Sequence, residues 1–180
     1  MKRIALTAIA AASFGLAAAA HAQTLRFASQ GDAQTMDPHS QNESFTNSVN
    51  QQQYEYLVHR DKQLNFVPGL ATSWEQLSPL KWRFKLRQGV KFHDGSAFNA
   101  DDVVFSIIRA QQPTSQIAVY ANAIGTPKKI DDFTVEFEMT KINPILHEHI
   151  APLFILDKEW YEKNKATKPQ DFKNKEEHYA

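Results

Sequence analysis

The chain has 180 residues, and its 20 Lys+Arg balance its 20 Asp+Glu, so the formal net charge is zero. A chain without a basic excess offers little to hold phosphates, which argues against nucleic acid as a partner. The sequence contains no cysteine, so neither a disulfide framework nor a thiol for lipid attachment is predicted.

The first 22 residues have the layout of a secretory signal peptide. Two cations at positions 2 and 3 precede an uncharged, alanine-rich run, and Ala20-His21-Ala22 then places small residues where a signal peptidase needs them. The alternative is a transmembrane anchor, which requires roughly 20 strongly apolar residues. We therefore predict cleavage after Ala22, a mature chain that begins at Gln23, and a soluble protein in the periplasm.

Two elements and a turn are predicted at the start of the mature chain. Residues 25–28 alternate apolar with other residues and predict a strand. Met36-Asp37-Pro38-His39 predicts a turn, because the residue before a proline avoids the helical region. Residues 43–58 contain few helix breakers and predict an amphipathic helix. Its expected buried residues are Phe45, Val49, Tyr56 and Leu57.

The strongest local pattern is a strand predicted over residues 82–87. Apolar and basic residues alternate there, which is typical of a strand with one buried and one wet face. The two faces are Trp82, Phe84 and Leu86 against Arg83, Lys85 and Arg87. A loop or extended piece over residues 64–70 and a short strand over residues 71–75 precede it, and residues 93–96 predict a turn.

A helix is predicted to begin after Asn99 and to end before Pro113. Asn99 is a favourable N-cap, and two aspartates, Asp101 and Asp102, suit the positive end of the helix dipole. The predicted buried face consists of Val104, Phe105, Ile107 and Ile108.

The last third of the chain predicts one more strand and two helices. Residues 134–139 alternate, with positions 133, 135, 137 and 139 on one face, after a tight turn at Asp131-Asp132. Helices are expected over residues 145–150 and 157–164, separated by a short buried stretch at residues 154–156. Helices mixed with strand pairs predict an α/β or α+β fold.

No arrangement of residues predicts a catalytic or metal site. His147 and His149 are two residues apart, whereas a zinc peptidase helix needs histidines four apart, so the two side chains should point in different directions. His93 and Asp94 lie in a turn. No GxSxG, P-loop or GxGxxG motif occurs. We therefore predict no enzyme and no cofactor, and keep a periplasmic metallohydrolase that uses the region of His147 as the alternative.

Residues 82–95, followed by residues 98–106, resemble the signature of family 5 of the bacterial extracellular solute-binding proteins, which serve ABC transporters for oligopeptides, dipeptides and nickel. Residues 36–39, 67–75 and 132–137 resemble three further segments of that family. The chain departs from the family pattern at Tyr56, where a glycine is usual. Family members are also far longer, and the expected Gly-Thr-Gly-Pro segment does not occur before Ala180.

The resemblance implies a type II periplasmic-binding-protein-like α/β fold, with two lobes and a small α+β domain inserted in the first. It assigns residues 23–54 to the first lobe, residues 55–160 to the inserted domain, and residues 161–180 to a return segment. The second lobe is expected to be absent from this N-terminal fragment.

The resemblance also implies a monomeric, periplasmic, non-enzymatic protein that binds oligopeptides or dipeptides and delivers them to an ABC permease in the inner membrane. Nickel-chelate, heme, sugar and opine remain alternative ligands, because a fold does not select a ligand.

The predicted ligand-binding residues follow the first strand: Ser29, Gln30, Asp32, Ala33 and Gln34. Ligands of α/β proteins bind beyond the carboxyl ends of strands, and the resemblance implies that this segment borders the cleft. The carboxylate of Asp32 would suit a peptide amine or a cationic side chain. The alternative interpretation of the segment is an ordinary turn.

Overall fold

Secondary structure is described for residue 26 and residues 28–171, in a computed structural model. The chain divides into a first unit, residues 1–30, and a second unit, residues 31–180. In the first unit, the described residues are exposed and belong to no helix or strand. The predicted signal peptide lies outside the described residues. So do residues 25 and 27, and the strand over residues 25–28 therefore stays a prediction.

Five helices and eight strands lie in the described part of the second unit. The helices are α1 (Ser44–Asn50), α2 (Ala100–Ala110), α3 (Ala118–Ala123), α4 (Leu146–Ile150) and α5 (Lys158–Lys163). The strands are β1 (Glu55–Tyr56), β2 (Val58–Arg60), β3 (Phe66–Pro68), β4 (Ala71–Ser78), β5 (Lys81–Leu86), β6 (Thr126–Asp131), β7 (Thr134–Glu138) and β8 (Phe154–Ile155).

Four antiparallel strands form the main sheet, in the order β4-β5-β7-β6. β5 is an inner strand, and its Phe84 lies opposite Trp74 of β4 and opposite Val135 of β7. Two small ladders, β2 with β3 and β1 with β8, complete the pairing. In the β1–β8 ladder Tyr56 lies opposite Phe154. The segments that precede and follow the main sheet in the sequence are therefore paired with each other.

The alternation predicted for β5 is confirmed. Phe84 and Leu86 are buried in the core, whereas Lys85 and Arg87 are exposed. On the wet face, Arg83 lies opposite Glu136 of β7 and donates from Nε to its carboxylate at 3.0 Å. Opposite charges on directly facing positions stabilise a strand pair, so the polar face of this sheet contributes to its register.

The predicted start of α2 is confirmed, but its buried face is displaced. Asn99 accepts the backbone N–H of Asp101 at 2.7 Å, and the Asp102 carboxylate accepts the backbone N–H of Asn99 at 2.8 Å. The fully buried apolar residues of α2 are Ala100, Val103, Ile107 and Ala110. Those positions follow the helical period of 3.6 residues, whereas Ile108 lies off that stripe and is 46% exposed.

The helix predicted over residues 43–58 is wrong beyond Asn50. Glu43 caps α1 by accepting the backbone N–H groups of Phe45 and Thr46, and the chain leaves the helix at three consecutive glutamines. Tyr56 and Val58 then belong to β1 and β2. Aromatic and β-branched residues suit strands, and pairing with distant β8 and β3 decides their conformation.

Two elements, α3 and β6, are not apparent in the sequence pattern. The core-facing positions of β6 are occupied by Pro127 and Lys129, which lie opposite Phe137 and Val135 of β7. An edge strand tolerates proline and lysine because one of its sides has no strand partner. The apolar alternation that identifies an inner strand is therefore missing.

The remaining predictions for the last third hold closely. β7 buries Val135 and Phe137. α4 lies within residues 145–150, and α5 begins after Asp157, whose carboxylate accepts the backbone N–H of Trp160 at 2.9 Å. Among residues 28–171, no helix is both long and apolar enough to cross a membrane.

Candidate functional site

The predicted ligand-binding segment is largely exposed. Ser29 and Gln30, in the first unit, are exposed; in the second unit, Asp32 and Gln34 are exposed and Ala33 is half-buried. The backbone N–H of Gln34 donates to Thr46 Oγ1 of α1 at 3.1 Å. The polar groups of the segment thus stay available to solvent, as a ligand-binding segment requires, and their role remains a prediction.

A polar groove of about 670 Å³ lies a few residues further along the chain. We call it the Asn42 groove. Its walls come from the chain before and within α1, from β1 and β2, from α3 and from α4. The lining residues are Pro38, Asn42, Asn47, Gln51, Tyr56, Val58, His59, Arg60, Ile117, Tyr120, Glu148, His149, Ala151, Pro152 and Phe154. Asp32, Ala33 and Gln34 are not among them.

The groove offers many neutral hydrogen-bonding groups. Three amide side chains, two imidazoles and two phenols line it: Asn42, Asn47, Gln51, His59, His149, Tyr56 and Tyr120. Its two fully charged side chains, Arg60 and Glu148, form an ion pair with each other. Amides and hydroxyls both donate and accept, so this lining suits uncharged polar groups such as peptide bonds and sugar hydroxyls.

Several of these side chains are held by neighbours. Asn47 Nδ2 donates to Asn42 Oδ1 at 3.3 Å, which joins α1 to the chain before it. Asn143 Nδ2 donates to His149 Nδ1 at 2.9 Å and also to the carbonyl of Ala123. The ring of His149 lies 6.2 Å from that of Tyr120. The donors of the groove are therefore oriented before any ligand binds.

A second hollow of about 680 Å³, here called the Trp160 hollow, has a mainly apolar lining. The apolar and aromatic residues that line it include Leu70, Val90, Phe92, Phe98, Ile155, Leu156 and Trp160. Its other lining residues are polar and include Glu55, Lys91, Asp94 and Asp157, which have ionisable side chains, and covering a charge with an uncharged ligand is costly unless the charge is paired. The Asn42 groove is therefore the better candidate for binding a polar small molecule.

Beneath the groove lies a buried ion pair between Asp37 and Arg109, both with fully inaccessible side chains. The guanidinium donates to both carboxylate oxygens at 2.8 Å. Burial alone would raise the pKa of Asp37, but the hydrogen bonds and charge of Arg109 hold it well below its usual range. Asp37, predicted as a turn residue, is thus a permanently charged member of the core, and Arg109 was not singled out by any sequence pattern.

His39 lies in the same buried region. Its Nε2 is 3.2 Å from the carbonyl of Phe154, and its own carbonyl accepts the backbone N–H of Gln116 at 3.0 Å. Burial, together with the charge of Arg109, lowers the pKa of His39 to about 3. The imidazole is therefore neutral at physiological pH and donates to Phe154.

The histidines near residue 147 diverge, as their spacing predicts. His147 packs edge-on against Trp82, with ring centroids 4.9 Å apart, whereas His149 lines the groove. His93 also does not pair with Asp94: it lies 3.2 Å from the carbonyl of Gln53, while Asp94 accepts from Ser96. These contacts bring together neither of the catalytic or metal pairs considered from the sequence.

Asp102 does more than complement the helix dipole, which corrects the interpretation of Asp101 and Asp102 from the sequence. Asp101 pairs with Lys129, but Asp102 is fully buried and accepts the backbone N–H of Lys158 at 3.0 Å as well as that of Asn99. Burial raises the pKa of Asp102 to about 6. Its oxygen atoms lie within 4.8 Å of those of Asp157 and Glu159, and this acidic cluster joins α2 to α5.

The groove residues were missed because their signal is not local. Asn42 and Asn47 follow the predicted turn closely, and their amide side chains are the one part of the groove that the local sequence indicates. Tyr120 and His149 lie on α3 and α4, and nothing in the sequence places them beside α1.

The family model for the middle part of bacterial extracellular solute-binding proteins, family 5, matches residues 65–179. The chain is 35% identical over 108 residues to the glutathione-binding protein GsiB of Pectobacterium atrosepticum, covering 58% of this chain and 21% of that protein. It is 34% identical over 148 residues to the dipeptide-binding protein of Escherichia coli, covering 70% of this chain and 28% of that protein.

Solved structures agree with this match. The structure of the binding protein MoaA from A. tumefaciens R10, in complex with mannopinic acid, superposes with a TM-score of 0.66 and 30% identity. That superposition covers 74% of this chain and 29% of the other. The chain therefore has the fold of part of a periplasmic binding protein, and it spans between about a fifth and three tenths of the length of these relatives.

Proposed function

Because the chain belongs to family 5 of the bacterial extracellular solute-binding proteins, we propose that it forms part of the substrate-binding component of an ABC importer. The observation that carries this proposal is the match to the dipeptide-binding protein over 70% of the chain. The proposed location is the periplasm, reached through the signal peptide of residues 1–22. The proposed division places residues 23–54 in the first lobe, residues 55–160 in the inserted domain and residues 161–180 in the return segment.

The proposed ligand is a short peptide that lies against the Asn42 groove. The amide side chains of Asn42, Asn47 and Gln51 can each donate to a peptide carbonyl and accept from a peptide N–H. The residues Ser29, Gln30, Asp32, Ala33 and Gln34 stay proposed ligand-binding residues, with the Asp32 carboxylate suited to a peptide amine or a cationic side chain.

The proposed mechanism is capture without chemistry. A second lobe closes over the bound ligand by a hinge motion, and the closed form docks on the membrane permease. Closure buries the ligand on both sides and excludes water, which is the main source of affinity in a concave site. Without the second lobe, much of the ligand surface would stay exposed to water, so residues 23–180 by themselves should bind peptide only weakly.

A sugar-derived ligand is the second candidate, favoured by the relative whose structure contains mannopinic acid. Tyrosine hydroxyls and amides in the groove would bind hydroxyl groups as readily as peptide bonds. The metallohydrolase alternative has less support, because His147 and His149 face different surroundings.

Titration of residues 23–180 with alanyl-alanine and with mannopinic acid, followed by amide NMR, tests the proposal. We expect shifts confined to the groove, with a Kd of about 1 mM or weaker, which corresponds to roughly 4 kcal/mol of binding free energy. Asn42→Ala should abolish them, whereas Ser48→Ala, an exposed change on α1 outside the groove, should not. Shifts located only in the Trp160 hollow, or peptide hydrolysis that requires zinc and His149, would refute the proposed site and function respectively.

A further inference from the structure

Three distant stretches of chain meet at the Asp37–Arg109 pair. Asp37 precedes α1, Arg109 lies in α2, and the chain after α5 reaches the same place. Arg109 donates from Nε to the carbonyl of Ala166 at 3.0 Å and from Nη2 to that of Lys168 at 2.9 Å. The backbone N–H of Gln170 donates to Asp37 Oδ2 at 3.0 Å. One guanidinium therefore contacts segments that lie up to 72 positions from Arg109 in the sequence.

Both long walls of the Asn42 groove are attached to this pair. Pro38, in the first wall, follows Asp37 directly, and the Asp37 carboxylate also accepts from the backbone N–H of His39 at 3.1 Å and from Ser40 Oγ at 2.5 Å. The carbonyl of His39 accepts the backbone N–H of Gln116 at 3.0 Å. Gln116 directly precedes Ile117, which lines the groove together with Tyr120 of α3, and these two residues are here called its second wall.

The geometry needs an arginine. Its planar guanidinium reaches both oxygens of Asp37 and two backbone carbonyls at once, whereas a lysine ammonium on a flexible stem supplies a single point of charge. Charge-assisted, bidentate contacts fix orientation as well as distance. A lysine at position 109 would therefore keep the charge and lose the orientation of the turn formed by residues 37–40.

We infer that Arg109 is a positioning residue for the Asn42 groove, acting through Asp37 and His39 to hold the two walls in place before ligand arrives. The inference rests on the proposed function, since it assigns Arg109 to the binding of ligand in this groove. Arg109 itself is fully buried and is not among the residues that line the groove. The rival view is that the pair contributes to the core as any other buried contact does.

Amide hydrogen exchange in the full chain distinguishes a positioning role of Arg109 from a purely structural role. The probes are the backbone N–H groups of Ser40, Gln116 and Gln170, with those of Leu86 and Met139 at the sheet as references. Arg109→Lys should accelerate exchange at the three probes by about tenfold or more relative to the references, because local opening exposes one region without global unfolding. Ile107→Val, a change at an equally buried position two residues away in α2, should accelerate exchange at probes and references by the same factor.

Equal acceleration at probes and references in Arg109→Lys would overturn the inference. If that variant does not fold, exchange in the wild-type chain at low denaturant decides instead. The three probes should then open together and before the sheet, and independent opening would count against a common anchor.

Binding supplies the second readout. Arg109→Lys should reduce the alanyl-alanine shift of the Asn42 side-chain amide by several-fold at a ligand concentration where Ile107→Val leaves it unchanged. If the shift is lost in both variants, the Asp37–Arg109 pair stabilises the core and does not position the groove. Absence of any alanyl-alanine shift in the wild type would refute the proposed peptide ligand of the groove, while the exchange experiment would still decide whether Arg109 positions the groove residues.

Discussion

Acidification should destabilise the protein through His39. In the folded protein burial lowers the pKa of this imidazole from 6.5 to about 3. As the pH falls, His39 is therefore protonated near pH 6.5 in the unfolded chain but only near pH 3 in the folded chain. The contribution of neutral His39 to the free energy of unfolding is fully present above pH 6.5, and it is lost progressively as the pH falls from 6.5 to about 3.

The magnitude follows from the size of the shift. Each pH unit inside that window changes the free energy of unfolding by about 1.4 kcal/mol for one proton. Lowering the pH from about 7 to about 5 should thus remove about 2 kcal/mol through His39 alone. That is a large share of the roughly 5–15 kcal/mol that stabilises a typical domain.

Other buried groups titrate in neighbouring ranges and must be separated from His39. Asp102, whose pKa is raised to about 6, has the opposite effect, since its folded state takes up a proton as the pH falls through 6. Asp37 has a lowered pKa and loses stability only below its ordinary value of 3.8. The pKa of His147 is also lowered by burial, so this residue acts in the same direction as His39.

Comparison with His39→Gln isolates the effect. Glutamine can still donate to the carbonyl of Phe154 but does not titrate, and Asp102 and His147 are unchanged in the variant. Urea unfolding of both proteins at about pH 7 and about pH 5 gives the two losses of stability. We expect the wild type to lose about 2 kcal/mol more than the variant. Equal losses in the two proteins would show that His39 is not held neutral by its surroundings.

Three further predictions concern the core, export and the ligand. Phe84→Ala should lower the free energy of unfolding in urea by about 3–5 kcal/mol, because Phe84 is fully buried. Lys85→Ala should change it by no more than about 0.5 kcal/mol. Similar values for the two variants would contradict the assignment of one buried and one exposed face to β5. Reversing the charges of Lys2 and Arg3, or placing bulky residues at Ala20 and Ala22, should leave unprocessed precursor on immunoblots, and normal processing of every variant would reject the signal peptide. In a two-lobed protein that contains this chain, Asp32→Ala should weaken the binding of a cationic peptide by about 1–3 kcal/mol in calorimetry without changing Tm, since Asp32 is exposed. Unchanged affinity for every ligand would remove Asp32 from the site.

Elements whose signals are local could be predicted from the sequence. The alternation in β5, the cap of α2 and the cap of α5 each depend on residues within one turn or one strand, and each is present in the structure. The end of α1 depends instead on strand pairing outside the helix, and β6 is an edge strand without the apolar alternation of an inner strand. Glu55, Tyr56 and Val58 are in strands rather than in a helix because β8 and β3 pair with them, and the pattern within residues 43–58 does not contain that information.

The same distinction explains which parts of the candidate site were predictable. An exposed polar segment after a strand is visible in the sequence, and Ser29 to Gln34 could be named on that basis alone. The Asn42 groove is built from residues 38–60, 117–120 and 148–154, and the pair that joins two of its walls links Asp37 to Arg109 across 72 positions. A buried charge is costly unless it is paired, so Asp37 and Arg109 each become intelligible only when the other is known. The sequence therefore predicts the groups that can touch a ligand more readily than the buried groups that hold them, and Arg109 belongs to the second kind.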